Sequence, residues 1–284
     1  MFRKLSIFGP GLLGGSLGMA ARERKLARRV TVWARRPEAI TEAIQHQAAD
    51  DGTMDAAEAV QDADLVVLAT TIGAMEKIAH DIMPHLAGNP LITDVGSVKY
   101  PLVVSMEHAF AEKANFVGSH PMAGSEAAGI AAAQPDLFEG AVCIVTPTDA
   151  TNQQALMRTA EFWERIGMKV RTLPPSVHDE MVARVSHLPH LLAAALISYV
   201  CQESKGPLDF CGNGFKDSTR IAAGPAEMWK EICMINRDEL RRAIDGLIEE
   251  LSLVRQMLEN KDEISLLAFL RRARRLREEL AFRQ

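Results

Sequence analysis

The first 173 positions of the chain carry two hydrophobic periods in turn. Short apolar runs bounded by turn-forming residues predict strands at Lys4–Gly9, Arg29–Trp33, Ala63–Thr70, Pro90–Val95, Asn115–Gly118, Gly140–Pro147 and Met168–Leu173. Helical spacing predicts helices from the glycines after Phe8 to about Arg24, then over Glu38–Gln47, Ala74–His85, Tyr100–Phe110 and Asn152–Ile166. Strands that alternate with helices make a doubly wound α/β domain with a largely parallel sheet. After Pro174-Pro175 no strand pattern follows. Helices are predicted at Ser176–Ala183, His187–Glu203, Gly214–Ala222, Glu227–Asn260 and Glu263–Phe282, the fourth unusually long with Gly246 inside it. The expected division is therefore an α/β domain over 1–173 and an all-α domain over 174–284.

The first turn adds a ligand to this picture. Gly9-Pro10-Gly11-Leu12-Leu13-Gly14 follows a strand and opens a helix, and a second strand comes about thirty residues in. In that context Gly9 makes the tight turn, Gly11 lets backbone approach a pyrophosphate, Gly14 lets helix pack on strand, and the free N–H groups around Leu12 and Leu13 bind the phosphate charge. The α/β part thus reads as a Rossmann-type dinucleotide-binding domain. At the end of the second strand, Trp33-Ala34-Arg35-Arg36 lacks the acid that bonds a ribose 2′-hydroxyl. Arg35 and Arg36 can instead grip a 2′-phosphate, so NADP is the expected cofactor, with NAD left open as the alternative.

Composition narrows the class. The 284 residues are 48% hydrophobic with a formal net charge of −5, and the mean hydropathy is −0.02 with a pI near 5.9. An acidic chain argues against nucleic acid or an anionic membrane as partner. The longest apolar run, Leu191–Val200, is too short to span a bilayer, and the charged start Met1-Phe2-Arg3-Lys4 leads into a strand and does not resemble a signal peptide. A cytoplasmic protein is expected. Cys143, Cys201, Cys211 and Cys233 show neither a C-x-x-C pair nor metal-ligand spacing and read as free thiols. His187 and His190 lack a third ligand at plausible spacing, so no metal site is expected. The apolar helix faces after Pro175, such as Leu192, Leu196, Leu240, Leu247 and Leu251, exceed what isolated hairpins could cover, and a homodimer is expected.

Candidate chemistry concentrates in Gly118-Ser119-His120-Pro121-Met122-Ala123-Gly124-Ser125-Glu126, read as a loop after a strand. Ligands of such sheets sit beyond the carboxyl ends of strands, where Thr71, Gly96, Ser97 and His120 fall. A histidine beside a nicotinamide suits removal of an alcohol proton while hydride leaves the same carbon, and His120 is the candidate base. His46, His80, His85, His108 and His178 lie in helix-like or linker stretches with no polar constellation and read as surface or core.

Four blocks, GPGLLGGS, DVGSVK, GSHPMAGSE and VSHLPHLLA with GFKDSTRIAAGPAEMWKEI, resemble in this order the prephenate and arogenate dehydrogenases of tyrosine biosynthesis, from Ser6 to about Asn236. The resemblance implies an oxidoreductase that decarboxylates prephenate oxidatively to 4-hydroxyphenylpyruvate with NAD(P) as hydride acceptor, or arogenate to tyrosine. A 3-hydroxy acid dehydrogenase would share the glycine turn but leave GSHPMAGSE unexplained. By the resemblance Ser97 stands between cofactor and His120, His187 bonds the substrate while His190 packs, and Arg220 clamps a substrate carboxylate. Ser125 lies nearby, Trp229 lines the pocket, and Glu126 or Asp217 gates it. The family dimerises through its helical domain, and the regulatory or chorismate-mutase module that some relatives carry is not expected here.

Overall fold

A computed structural model describes residues 1–111, 113–124 and 127–281. Eight strands form one sheet: β1 (Phe2–Phe8), β2 (Ala27–Trp33), β3 (Asp51–Thr53), β4 (Leu65–Leu68), β5 (Leu91–Asp94), β6 (Asn115–Pro121), β7 (Val142–Thr146) and β8 (Lys169–Thr172). Their order is β3-β2-β1-β4-β5-β6-β7-β8. All neighbours are parallel except β6 and β7. The helices of this part are α1 (Leu12–Glu23), α2 (Pro37–Gln45), α3 (Ala56–Val60), α4 (Ile72–Ile82), α5 (Tyr100–Phe110) and α6 (Gln153–Ile166).

Side chains alternate across a strand, and this sheet is covered on both faces. Leu5 and Ile7 of β1, with Leu65 and Val67 of β4, join Leu17 of α1 and Phe162 and Trp163 of α6 on one side. Phe8, Val66 and Leu68 join Met75 and Ile78 of α4 and Leu102 and Met106 of α5 on the other. These buried rows explain why the strands read as continuous apolar runs.

After β8 the first compact unit continues with α7 (Pro175–Val182), a π-helical turn (Ala183–His187), α8 (Leu188–Val200), α9 (Asn213–Thr219) and α10 (Ala226–Ile235), with short 3-10 turns at Gly206–Phe210 and Arg220–Ala223. Then come α11 (Arg237–Glu259) and α12 (Glu263–Ala281). Two compact units result, Met1–Arg237 and Asp238–Gln284. The helices from α7 to α10 thus cluster with the sheet.

Three expectations change. The long helix over 227–260 is broken at Asn236, whose side chain bonds the Asp179 carbonyl at 2.9 Å. The stretch Gly118–Pro121 is not loop but the end of β6, paired with β7 from Gly118 opposite Thr146 to Pro121 opposite Cys143. Finally, α7, the π turn and α8 run on as Pro175–Val200, 26 residues with mean hydropathy 1.3 in the most apolar window. By length and composition this helix could cross a membrane, which the shorter run Leu191–Val200 did not suggest. Its buried side nevertheless carries His178, Asp179 and His187, hydrogen-bonded within the first unit.

Candidate active site

Strands β1, β4, β5 and β6 are successive parallel neighbours, so their carboxyl ends share one edge of the sheet. Gly9 follows β1, Thr71 follows β4 as the residue before α4, Gly96 and Ser97 follow β5, and His120 is the next-to-last residue of β6. The topology therefore brings together residues spread over more than a hundred positions.

The glycine turn fits a dinucleotide. Gly9 has φ +101°, and a Cβ there would meet the Ala69 carbonyl oxygen at 2.7 Å. A Cβ on Gly14 would lie 2.1 Å from the Gly9 carbonyl oxygen, so α1 could not approach β1 with a larger residue. Nothing lies within 4 Å of a Cβ on Gly11, which leaves room for a ligand. The N-terminus of α1 has no side-chain cap, and the N–H groups of Leu12, Leu13 and Gly14 have no acceptor among the described residues. That is where a pyrophosphate would be held. Ala34 is buried at the end of β2, and the exposed Arg35 and Arg36 make no ion pair among the described residues.

Around His120 the polar groups form one buried network. His120 is 8% exposed, and its Nδ1 lies 2.8 Å from Nε2 of the fully buried His178. Nδ1 of His178 lies 2.7 Å from Oδ1 of Asp179. The same carboxylate accepts the backbone N–H of Lys99 at 2.7 Å and of Tyr100 at 2.8 Å, which fixes α7 to the start of α5. Lys99 is fully buried; its ammonium pairs with Asp94 and donates to the Ser119 carbonyl at 2.9 Å. Asp94 in turn accepts Gly96 N–H at 2.7 Å and Ser119 N–H at 3.1 Å, bending the Gly96–Val98 turn around itself. Ser119 donates its hydroxyl to the Asp94 carbonyl at 2.5 Å and accepts from the Trp163 indole at 3.0 Å. The strand end that presents His120 is thus held from three sides.

Electrostatics keep these imidazoles neutral. Burial, then the His178, Lys99 and His187 charges, push the His120 pKa well below its ordinary value. Burial also lowers His178, opposed by its bond to Asp179. His187 falls to about 4, chiefly through burial. Its Nδ1 lies 3.2 Å from Nδ2 of Asn236. An amide nitrogen can only donate, so the His187 proton sits on Nε2, a buried donor with no partner among the described residues.

The sequence that builds this site matches two family models: prephenate dehydrogenase, nucleotide-binding domain, over residues 17–172, and prephenate dehydrogenase, dimerization domain, over 174–272. The chain belongs to the prephenate dehydrogenase family. It is 32% identical over 283 residues to a prephenate dehydrogenase of Bacillus subtilis, spanning 97% of this chain and 76% of that protein. A cyclohexadienyl dehydrogenase of Zymomonas mobilis is 30% identical over 281 residues, spanning 98% of this chain and 96% of that one. Among solved structures, the prephenate dehydrogenase of A. aeolicus in complex with hydroxyphenyl propionate and NAD+ superposes with a TM-score of 0.93 at 30% identity, over 99% of both chains. The protein is accordingly an oxidoreductase with a nucleotide-binding domain for a nicotinamide cofactor.

Family membership sharpens the placement of the expected residues. Gly9, Gly11, Gly14, Gly96, Ser97 and His120 gather at one sheet edge, although no hydrogen bond joins Ser97 to His120 among the described residues. His190 packs, its ring stacked 3.6 Å from Trp229 at 11°, and Trp229 also meets His187 edge-on at 6.2 Å. Arg220 and Asp217 are exposed on α9 and the turn after it. Ser125 and Glu126 lie outside the described residues. One assignment is corrected: His178 is no bystander but the hydrogen-bond partner of His120. Asp179, Lys99, Asp94 and Asn236 were also missed. Asp94 and Lys99 open and close the DVGSVK block itself, whereas Asp179 and Asn236 carried no motif signal of their own.

Proposed function

We propose that the chain catalyses oxidative decarboxylation of prephenate to 4-hydroxyphenylpyruvate in tyrosine biosynthesis. The observation that carries this reading is the neutral, buried His120 at the carboxyl edge of a nucleotide-binding sheet, in a chain of this family. When bound, the nicotinamide supplies the acceptor for the hydride that leaves the hydroxyl-bearing ring carbon. His120 takes the hydroxyl proton. The bond to the ring carboxylate breaks, its electrons complete the aromatic ring, and carbon dioxide leaves. Aromatisation drives the step, so the chain's task is orientation and charge placement.

Residues 1–173 hold the cofactor and His120 in this reading, and 174–284 supply substrate contacts and the dimer face. Ser97 stands between cofactor and His120. The unpartnered Nε2–H of His187 donates to a substrate oxygen, Arg220 binds a carboxylate, and Ser125 and Trp229 complete the pocket. Arg220→Ala should therefore raise KM by tenfold or more with a much smaller change in kcat, the signature of lost uniform binding; an unchanged KM would return Arg220 to the surface. The absence of an acid at Ala34, beside Arg35 and Arg36, supports NADP over NAD. The chain is also read as a cytoplasmic homodimer.

Steady-state kinetics of the purified protein with prephenate and arogenate, each with NADP+ and NAD+, tests the whole assignment. The highest kcat/KM is expected for prephenate with NADP+, and Ala34→Asp should move the preference toward NAD+. Faster turnover of arogenate would reassign the substrate, preference for NAD+ in the wild type would reverse the cofactor assignment, and no turnover of either acid would overturn the reading.

A further inference from the structure

Asp179, His178 and His120 form a directed chain. A carboxylate has only acceptor sites, and Asp179 accepts Lys99 N–H, Tyr100 N–H and the Nδ1 of His178. His178 must therefore carry its proton on Nδ1 and offer a bare Nε2. That nitrogen, 2.8 Å away, can only accept from Nδ1–H of His120. His120 is left with an unprotonated Nε2, the form a general base requires.

The helix carrying His178 is built for this contact. His178 and His187 are nine residues apart, which in a regular α-helix of 3.6 residues per turn puts them on opposite sides. The π turn Ala183–His187 between them winds more slowly, and both imidazoles are buried. Asp179 is locked by two backbone N–H groups at the start of α5, so the far end of the chain cannot drift.

We propose that His178, backed by Asp179, is a positioning and relay residue: it fixes the tautomer of His120 and receives the Nδ1 proton of His120 as His120 takes the substrate proton at Nε2. This rests on His120 being the base. The balance is simple. One O–H bond breaks and one Nε2–H bond forms on His120, while its Nδ1–H bond breaks and an Nε2–H bond forms on His178. His120 ends neutral, and the positive charge rests on His178 against the Asp179 carboxylate. The groups facing His178 are His120 from β6, Asp179 on its own helix, Lys99 at the start of α5, Asp94 from β5 and His187 from the π turn. Both carboxylates favour charge on His178, whereas His120 meets only the repulsion of Lys99 and the other histidines.

Two variants separate fixing from relay. The amide oxygen of His178→Gln can still accept from His120 Nδ1–H but cannot be protonated; His178→Phe keeps bulk without an acceptor. With prephenate and a nicotinamide cofactor, His178→Gln should lose about tenfold or more in kcat at little cost in KM, and the acidic limb of its pH profile should shift. His178→Phe should lose more. A His178→Gln enzyme with wild-type kcat and an unmoved limb would overturn the relay. Histidine-selective 15N spectra of the full-length wild type give a second readout that needs no substrate and no variant. Protons on Nδ1 of both His120 and His178 are expected; a proton on Nε2 of His120 would overturn the proposed direction. Failure of wild-type turnover would count against the prephenate reading, while the spectra would still decide the tautomer.

Discussion

At the scale of the residue, the site is governed by imidazoles kept neutral inside the protein. His120, His178 and His187 all have pKa values lowered by burial, His187 to about 4. In the unfolded chain each would titrate near 6.5. Between that value and the folded value the unfolded state binds more protons, so stability rises with pH across this window and is lost as pH falls through it. For His187 alone the loss, complete below pH 4, amounts to about 3 kcal/mol. Urea midpoints should fall steeply from pH 6.5 to 4, and His187→Asn should flatten part of that slope; a pH-independent midpoint would contradict the buried neutral state. His120 was legible in sequence because it sits in a dense polar block after a strand. His178 was not, because its partner lies 58 residues away and only the packing of α7 on the sheet joins them.

At the scale of the element, the turn after β5 depends on one buried ion pair. The Lys99 ammonium lies between Asp94 and the Ser119 carbonyl with no solvent access, tying β5, the Gly96–Val98 turn and β6 together. Removing one partner of such a pair leaves the other charge buried and costs about 3 to 5 kcal/mol. Lys99→Met should lower stability by that amount in a denaturant titration; a loss below about 1 kcal/mol would mean that solvent or a neighbour replaces the ammonium. Periodicity found the long elements well, since buried strands and amphipathic helices announce themselves. It missed β3, whose three residues are too few to show a period, and it read Gly118–Pro121 as loop because glycine and proline dominate there. Pairing with β7 overrides that local preference, and Pro121 is tolerated at the strand end. The break at Asn236 carries no glycine or proline, and its cause is a tertiary bond to Asp179.

At the scale of the molecule, the helical region displays more apolar surface than a monomer keeps. Val185, Leu192 and Tyr199 are exposed on the first unit, and Ile248, Leu251, Ile264, Leu270 and Leu276 on the second. Together with the dimerization-domain match this supports a homodimer, and sedimentation at micromolar concentration should give about twice the 31.1 kDa chain mass. A fully active monomer would show that these faces need no partner. In the proposed reaction His120 removes the proton as the substrate is oxidised and decarboxylated. The most direct test of this role is the rate of carbon dioxide release from prephenate against pH for wild type and His120→Asn. The wild type should release one carbon dioxide per nicotinamide reduced, with a rate that falls at acid pH as His120 is protonated. His120→Asn should be slower by about 10²- to 10⁴-fold, with cofactor affinity intact and the acidic limb gone. A variant that keeps most of its turnover, or the same acidic limb, would show that another group is the base.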